Sequence, residues 1–255
     1  MGVTGAGGRA LERYRVIGIP VDNIEQDDLS EAVDYMLRRK SGSQIAFVRT
    51  WDILRARHSK EYRQALEECA LVIPVAKGLV RSARFLGAAS LARHLPFQFV
   101  VRMLSVIESK HGSVFLLGSS PSRLSKVEQN IRETFPGVRV VGRHEGGFSE
   151  DAGKNILLAV KKASPSLLLT GRGIKKGDLW ISRVRKKLPT TIALWSGETF
   201  DIMCGRRRPA SQRAFDRGRE DQPLILKRPW RLLRVFGYLW FLLLLLFFRV
   251  FKNDQ

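Results

Sequence analysis

Between residues 14 and 196, apolar runs of strand length alternate with longer segments of helical periodicity, and this alternation constrains the fold more than any other feature. The strand-length runs fall at 16–21, 45–48, 71–73, 114–117, 138–141, 167–169 and 191–195. Helical periodicity occupies 29–39, 61–69, 97–109, 123–135, 151–163 and 179–187. Strands separated by a helix return through crossovers and line up in parallel. A parallel sheet is covered on both faces, which suits runs as uniformly apolar as Leu167-Leu168-Leu169. Gly42, Gly112, the Pro136-Gly137 pair and Pro165 each stand just before a proposed strand, where a helix has to stop. The expected fold is α/β: a mostly parallel, Rossmann-like sheet with helices on both faces.

The composition changes after Ser196. From 205 to 234 there are ten basic residues against three acidic ones, and then a 14-residue uncharged run, 235–248, that includes five consecutive leucines. The chain thus divides into an N-terminal tail (1–13), an α/β domain (14–204) and a basic appendage (205–255) whose segment 235–251 is expected to associate with membrane. Fourteen residues rise about 21 Å as a helix, short of the ~30 Å hydrocarbon core. A helix lying in one leaflet is therefore easier than a span, with a buried core helix or an oligomer interface as the alternative. Lys227, Arg228, Arg231 and Arg234 stand immediately upstream, and each gains roughly 1 kcal/mol beside an anionic leaflet.

The whole chain carries 44 Lys and Arg against 24 Asp and Glu, a net charge of +20, which calls for an anionic partner. No nucleic-acid-binding pattern accompanies that charge, so nucleic acid is not the expected partner. The two cysteines, Cys69 and Cys204, are far apart and have no ligand spacing, so neither a disulfide framework nor a metal site is expected. Residues 1–16 lack an apolar stretch of signal-peptide length, and the domain is expected to stay in the cytoplasm. The Asp27-Asp28 pair reads as a helix cap.

Two glycine-bearing turns follow proposed strands. Residues 116–121 (LeuLeuGlySerSerPro) and 171–177 (GlyArgGlyIleLysLysGly) each lead toward a helix, and the second adds Arg172, Lys175 and Lys176. Such turns offer backbone N–H groups and a helix N-terminus to a phosphate at the strand ends where open α/β sheets bind ligands. A nucleotide or nucleotide-sugar fits them better than a neutral metabolite. Gly118, Ser119, Gly171, Gly173 and Lys176 are the candidate contacts.

The order of motifs resembles the WecG/TagA/CpsF family of bacterial glycosyltransferases. The matching segments include Arg49-Thr50-Trp51-Asp52, TyrArgGlnAlaLeu at 62–66, IleProValAlaLysGly at 73–78, Ala92 to Pro96, PheLeuLeuGly at 115–118, PheProGly at 135–137 and GluGlyGlyPhe at 145–148. They continue with Gly171 to Ile181, then Phe200, Asp201, Gly205, Arg208 and Pro209, and finally Glu220, Pro229, Arg231 and Arg234. The resemblance implies transfer of an N-acetylhexosamine-type sugar, such as N-acetylmannosamine or its uronic acid, from a UDP-sugar to a polyprenyl-diphosphate-linked acceptor. It implies no cofactor and no metal, peripheral attachment to the cytoplasmic membrane face through the C-terminal segment, and allows a homo-oligomer. Thr50 and Asp52 fall where the family contacts its donor, while Arg93, Arg208, Arg231 and Arg234 are expected to bind the acceptor diphosphate. The family's acidic residue in the 73–78 turn is replaced here, with Val75, Ala76 and Lys77 in its place, and its Gln-Glu pair has become Gly177-Asp178. Asp178 or Asp201 then has to supply the base; the alternative is a relative that binds its ligand without turnover.

Overall fold

The computed structural model describes residues 3–218 and 234–251, with side chains from Gly237 onward in the second segment. Its first element is a two-stranded antiparallel hairpin, β1 (Arg13–Val16) and β2 (Ile19–Asp22). The run at 16–21, read from sequence as one strand, is instead broken in the middle. Ile17 (φ 52°) and Gly18 (φ 77°) both take left-handed backbone, the conformation of a two-residue hairpin turn. Every residue of β2 is buried, so period-2 alternation gave no warning of the reversal.

The main sheet contains β3 (Ser43–Val48), β4 (Leu71–Pro74), β5 (Ser113–Leu117), β6 (Arg139–His144), β7 (Leu167–Thr170) and β8 (Ile192–Trp195). All its pairings are parallel, in the order β4-β3-β8-β7-β5-β6. β4, β5 and β7 are wholly buried, whereas β6 lies at an edge and exposes Arg139, Arg143 and His144. Charged side chains on an edge discourage further strand pairing.

Successive strand residues feed opposite cores. Leu167, Leu169, Val114 and Leu116 pack with α1 (Asp28–Arg38), α5 (Pro96–Ser109) and α6 (Pro121–Thr134). Phe115, Leu117 and Leu168 pack on the other side with α7 (Glu150–Ala163) and α8 (Gly177–Val184). Further along that second face lie α2 (Thr50–His58), α3 (Lys60–Glu67), α4 (Lys77–Phe85) and the hairpin. The helices form for local reasons as well. Leu29, Ala32, Val33 and Met36 make one stripe on α1, Pro96 and Pro121 open α5 and α6, and Ser59 and Ser149 cap α3 and α7. Asp28, read as a cap, accepts the N–H groups of both Ala6 and Glu25 and ties the N-terminal segment to α1.

After α9 (Gly197–Met203) and α10 (Gln212–Arg217), the described chain resumes as α11 (Arg234–Phe251). Phe241, Leu244 and Leu245 are buried against the core containing Ile53, Leu54 and Leu79. Its other side leaves Leu239, Trp240, Leu242, Leu243, Leu246, Phe247, Val250 and Phe251 exposed. Arg249 donates to the Phe85 carbonyl at 3.0 Å and lies over the Phe85 ring. Among the described residues no helix is long and apolar enough to cross a membrane.

Candidate active site

The crossover that follows β3 turns onto one face of the sheet, into α2, while the chain after β8 turns onto the opposite face, into α9. Between two neighbouring strands whose connections part in this way a crevice opens at their carboxyl ends. A cavity of about 780 Å³ occupies it, lined after β3 by Arg49, Trp51 and Asp52, after β7 by Arg172, Ile174 and Lys176 to Leu179, and from β8 onward by Trp195 to Glu198. Arg55 and Tyr62, Val75 just after β4, Arg207 beyond α9 and Tyr238 of α11 also line it.

Two carboxyls stand in this cavity. Asp52 accepts the Arg49 N–H at 2.9 Å and the Tyr62 hydroxyl at 3.4 Å. Burial pushes the Asp52 carboxyl upward, while the Arg49 N–H and the Arg49 and Arg55 charges oppose the rise. Asp178 stands in the first turn of α8, and its backbone carbonyl is held by Gln44 Nε2 at 2.9 Å. Its Oδ1 is buried and has no hydrogen-bond partner. Burial pushes its carboxyl up to about 7, with the Asp52 charge adding to the rise and Arg55 opposing it. A carboxyl near its midpoint at neutral pH can take a proton there, the requirement for a general base.

Of the predicted donor contacts, Asp52 and Lys176 line the cavity, and Asp178 sits with them. Lys176 adopts left-handed backbone (φ 49°), an unfavourable conformation for a side-chain-bearing residue, and leads directly into α8. Thr50 is buried as the first residue of α2. Gly118 and Ser119 lie outside the lining, and their N–H groups are already used. Gly118 donates to the His144 carbonyl at 2.9 Å, Ser119 donates to the Arg172 carbonyl, and Gly171 donates to the Leu117 carbonyl at 2.8 Å. A Cβ on Gly118 would come within 2.8 Å of the Arg172 carbonyl, and one on Gly173 within 3.0 Å of Gly146 Cα. These glycines let three loops touch, and that contact positions the 171–177 turn at the cavity.

Asp201 stands apart from the lining, paired with Arg172 at 3.0 Å and Arg123 at 3.8 Å. Arg93 stacks on Phe215, 3.6 Å from the ring centre, and borders a second cavity of about 640 Å³ with Gln98 and Arg102. Arg208 is exposed. Arg231 lies outside the described residues, as does the side chain of Arg234 at the start of α11. In the 73–78 turn Lys77 reaches away to the Asp216 carbonyl at 2.6 Å, so no carboxylate stands there.

Sequence reasoning missed Arg49, Arg55, Tyr62, Trp195, Glu198, Arg207 and Tyr238 as cavity residues. For some of them a signal existed, since Arg49, Trp195 and Glu198 flank strand ends. Trp195 also accounts for Gly177, because a Cβ there would collide with the indole ring, which donates Nε1–H to the Gly171 carbonyl at 3.0 Å.

Comparison with known proteins places the chain among sugar-transferring enzymes. The chain is 20% identical over 225 residues to the N-acetylglucosaminyldiphosphoundecaprenol N-acetyl-beta-D-mannosaminyltransferase of Bacillus subtilis (strain 168), covering 87% of this chain and 86% of that protein. It is 19% identical over 150 residues to the protein of the same name in Bacillus spizizenii, covering 59% of this chain and 58% of the relative. The profile of the WecG/TagA/CpsF glycosyl transferases matches residues 14–255. Because that match spans nearly the whole chain, the chain belongs to the WecG/TagA/CpsF family of glycosyltransferases.

Proposed function

We propose that this glycosyltransferase moves an N-acetylhexosamine-type sugar, such as N-acetylmannosamine or its uronic acid, from a UDP-sugar to a polyprenyl-diphosphate-linked acceptor at the cytoplasmic membrane face. The observation that carries the reading is the unpartnered Oδ1 of Asp178, buried in a cavity that also holds Lys176 and several arginines. In the proposed step an acceptor hydroxyl oxygen attacks the anomeric carbon while its proton passes to Asp178. The bond from that carbon to the donor phosphate breaks, and its electron pair leaves with UDP. Cations around the cavity favour the diphosphate as its charge grows. The exposed apolar side of α11 and the basic residues preceding it supply an apolar and an electrostatic contribution to membrane binding.

A second reading, a relative that binds UDP-sugar without turnover, draws on Lys77, which occupies the turn where relatives keep an acid and is tied to Asp216. One experiment separates the two: UDP release is followed with several UDP-N-acetylhexosamines and a polyprenyl-diphosphate-linked acceptor, beside calorimetric UDP binding. Turnover that disappears in Asp178→Asn supports catalysis by this carboxyl. UDP binding with no release on any donor supports the second reading, and full activity of Asp178→Asn removes the proton-acceptor role.

A further inference from the structure

We infer that Arg49, Arg172 and Arg207 form a side-chain clamp for a diphosphate ester, taking the place of the backbone cradle that the turn at 116–121 suggests. The inference deepens the proposed transfer and rests on it. Phosphate binding by the turn at 118–119 needs free N–H groups, and those of Gly118, Ser119 and Gly171 are donated to protein carbonyls. The three arginines reach the cavity from separate places: Arg49 follows β3, Arg172 follows β7, and Arg207 lies beyond α9.

Their placement is held by two carboxylates one helical turn apart on α9. Glu198 Oε2 lies 3.1 Å from Arg207 Nη1 and 3.8 Å from Arg49 Nη2. Asp201 Oδ2 lies 3.0 Å from Arg172 Nε. The stem of Arg172 crosses Gly197, where a Cβ would sit 2.9 Å from its Cγ. With Arg123, which also reaches Asp201, four arginines share the two carboxylates Glu198 and Asp201 in these ion pairs. Arg49 Nε is moreover buried without a hydrogen-bond partner. Each guanidinium presents five N–H donors in a fixed fork, and a single shared carboxylate oxygen leaves most of those on Arg49 and Arg207 free. A diphosphate supplies negative charge and enough acceptor oxygens for more than one fork.

The diphosphate can come from a nucleotide donor or from a prenyl-linked acceptor, and binding to the full-length protein in detergent distinguishes them. Calorimetry with UDP and separately with farnesyl diphosphate is compared for wild type, Arg49→Gln, Arg207→Gln and the corresponding lysine variants, each checked for folding by thermal melting. The expected result is a tenfold or greater loss of affinity in each glutamine variant, partly recovered by lysine. Loss for UDP assigns the clamp to the donor, and loss confined to farnesyl diphosphate assigns it to the acceptor. Folded variants that bind both ligands as wild type does overturn the clamp and leave the UDP-sugar reading standing. A wild type that binds neither ligand overturns both.

Discussion

Asp178 shows how a single side chain acquires its chemistry from its surroundings. A helix-opening acid is ordinarily an exposed partner of the helix dipole, but here burial and the neighbouring Asp52 raise its carboxyl to about 7. The rate of transfer should therefore climb as pH passes through about 7, and Asp178→Asn should flatten that limb and reduce kcat by roughly 10²–10⁴-fold. The same shift has a cost in stability. Because the folded state holds this proton more tightly than the unfolded chain, stability falls as pH rises from about 4 through about 7. Asp178→Asn should thus be more stable than wild type at pH 8, by on the order of 1–3 kcal/mol, and show little difference near pH 4. Thermal melts at the two pH values check this. Lys176→Ala, at the mouth of the same cavity, should weaken UDP binding by roughly 1.5–3 kcal/mol while moving stability by no more than about 0.5 kcal/mol. Unchanged calorimetric affinity would place Lys176 in solvent only.

At the scale of elements, the strand-end turns act together. The 117–119, 144–147 and 171–173 loops exchange backbone hydrogen bonds and approach too closely for side chains at Gly118, Gly146 and Gly173. Gly118 also has φ +112°, which an L-residue rarely adopts, so Gly118→Ala should lower stability by about 1–3 kcal/mol in denaturant titration. UDP affinity should fall with it, because the 171–177 turn loses its neighbour. The helix α11 behaves differently, since it is attached through one stripe only. Leu245→Ala removes a buried contact of a kind worth about 2–5 kcal/mol and should release α11 to proteolysis while the sheet stays folded. Limited proteolysis followed by mass measurement distinguishes local release from global unfolding.

The molecule as a whole is asymmetric: the cavity and the apolar side of α11 adjoin, joined by Tyr238, which lines the one and continues into the other. A net charge of +20 adds a long-range attraction to anionic surfaces. Co-sedimentation with vesicles of anionic phospholipid should therefore be strong for the full chain. It should be lost in Leu243→Glu with Phe247→Glu, two exposed positions whose change leaves the buried stripe intact. Truncation after Asp221 should likewise leave the protein in the supernatant. If the truncated protein still pellets, the anchor lies elsewhere.

Sequence alone was enough for the parallel α/β sheet, because strands buried on both faces read as nearly continuous apolar runs and the crossovers between them carry helical periodicity. It drew attention to the 171–177 turn, part of which lines the cavity, and equally to the turn at 116–121, which does not. It also marked the apolar 235–251 segment but left a membrane-lying helix and a buried core helix both open; the structure buries the stripe of Phe241, Leu244 and Leu245. What it could not reveal was which atoms are free. The N–H groups of Gly118 and Gly171 look available in a one-dimensional reading, and only loop-to-loop packing shows them spent. The hairpin at Ile17-Gly18 was hidden because burial on all sides erases periodicity. Asp178 and Asp52 are 126 positions apart and share a cavity because β3 lies near β7 across β8. Local sequence dictates propensity and pattern; the meeting of distant strand ends, with the charge and burial it creates, is a property of the tertiary fold.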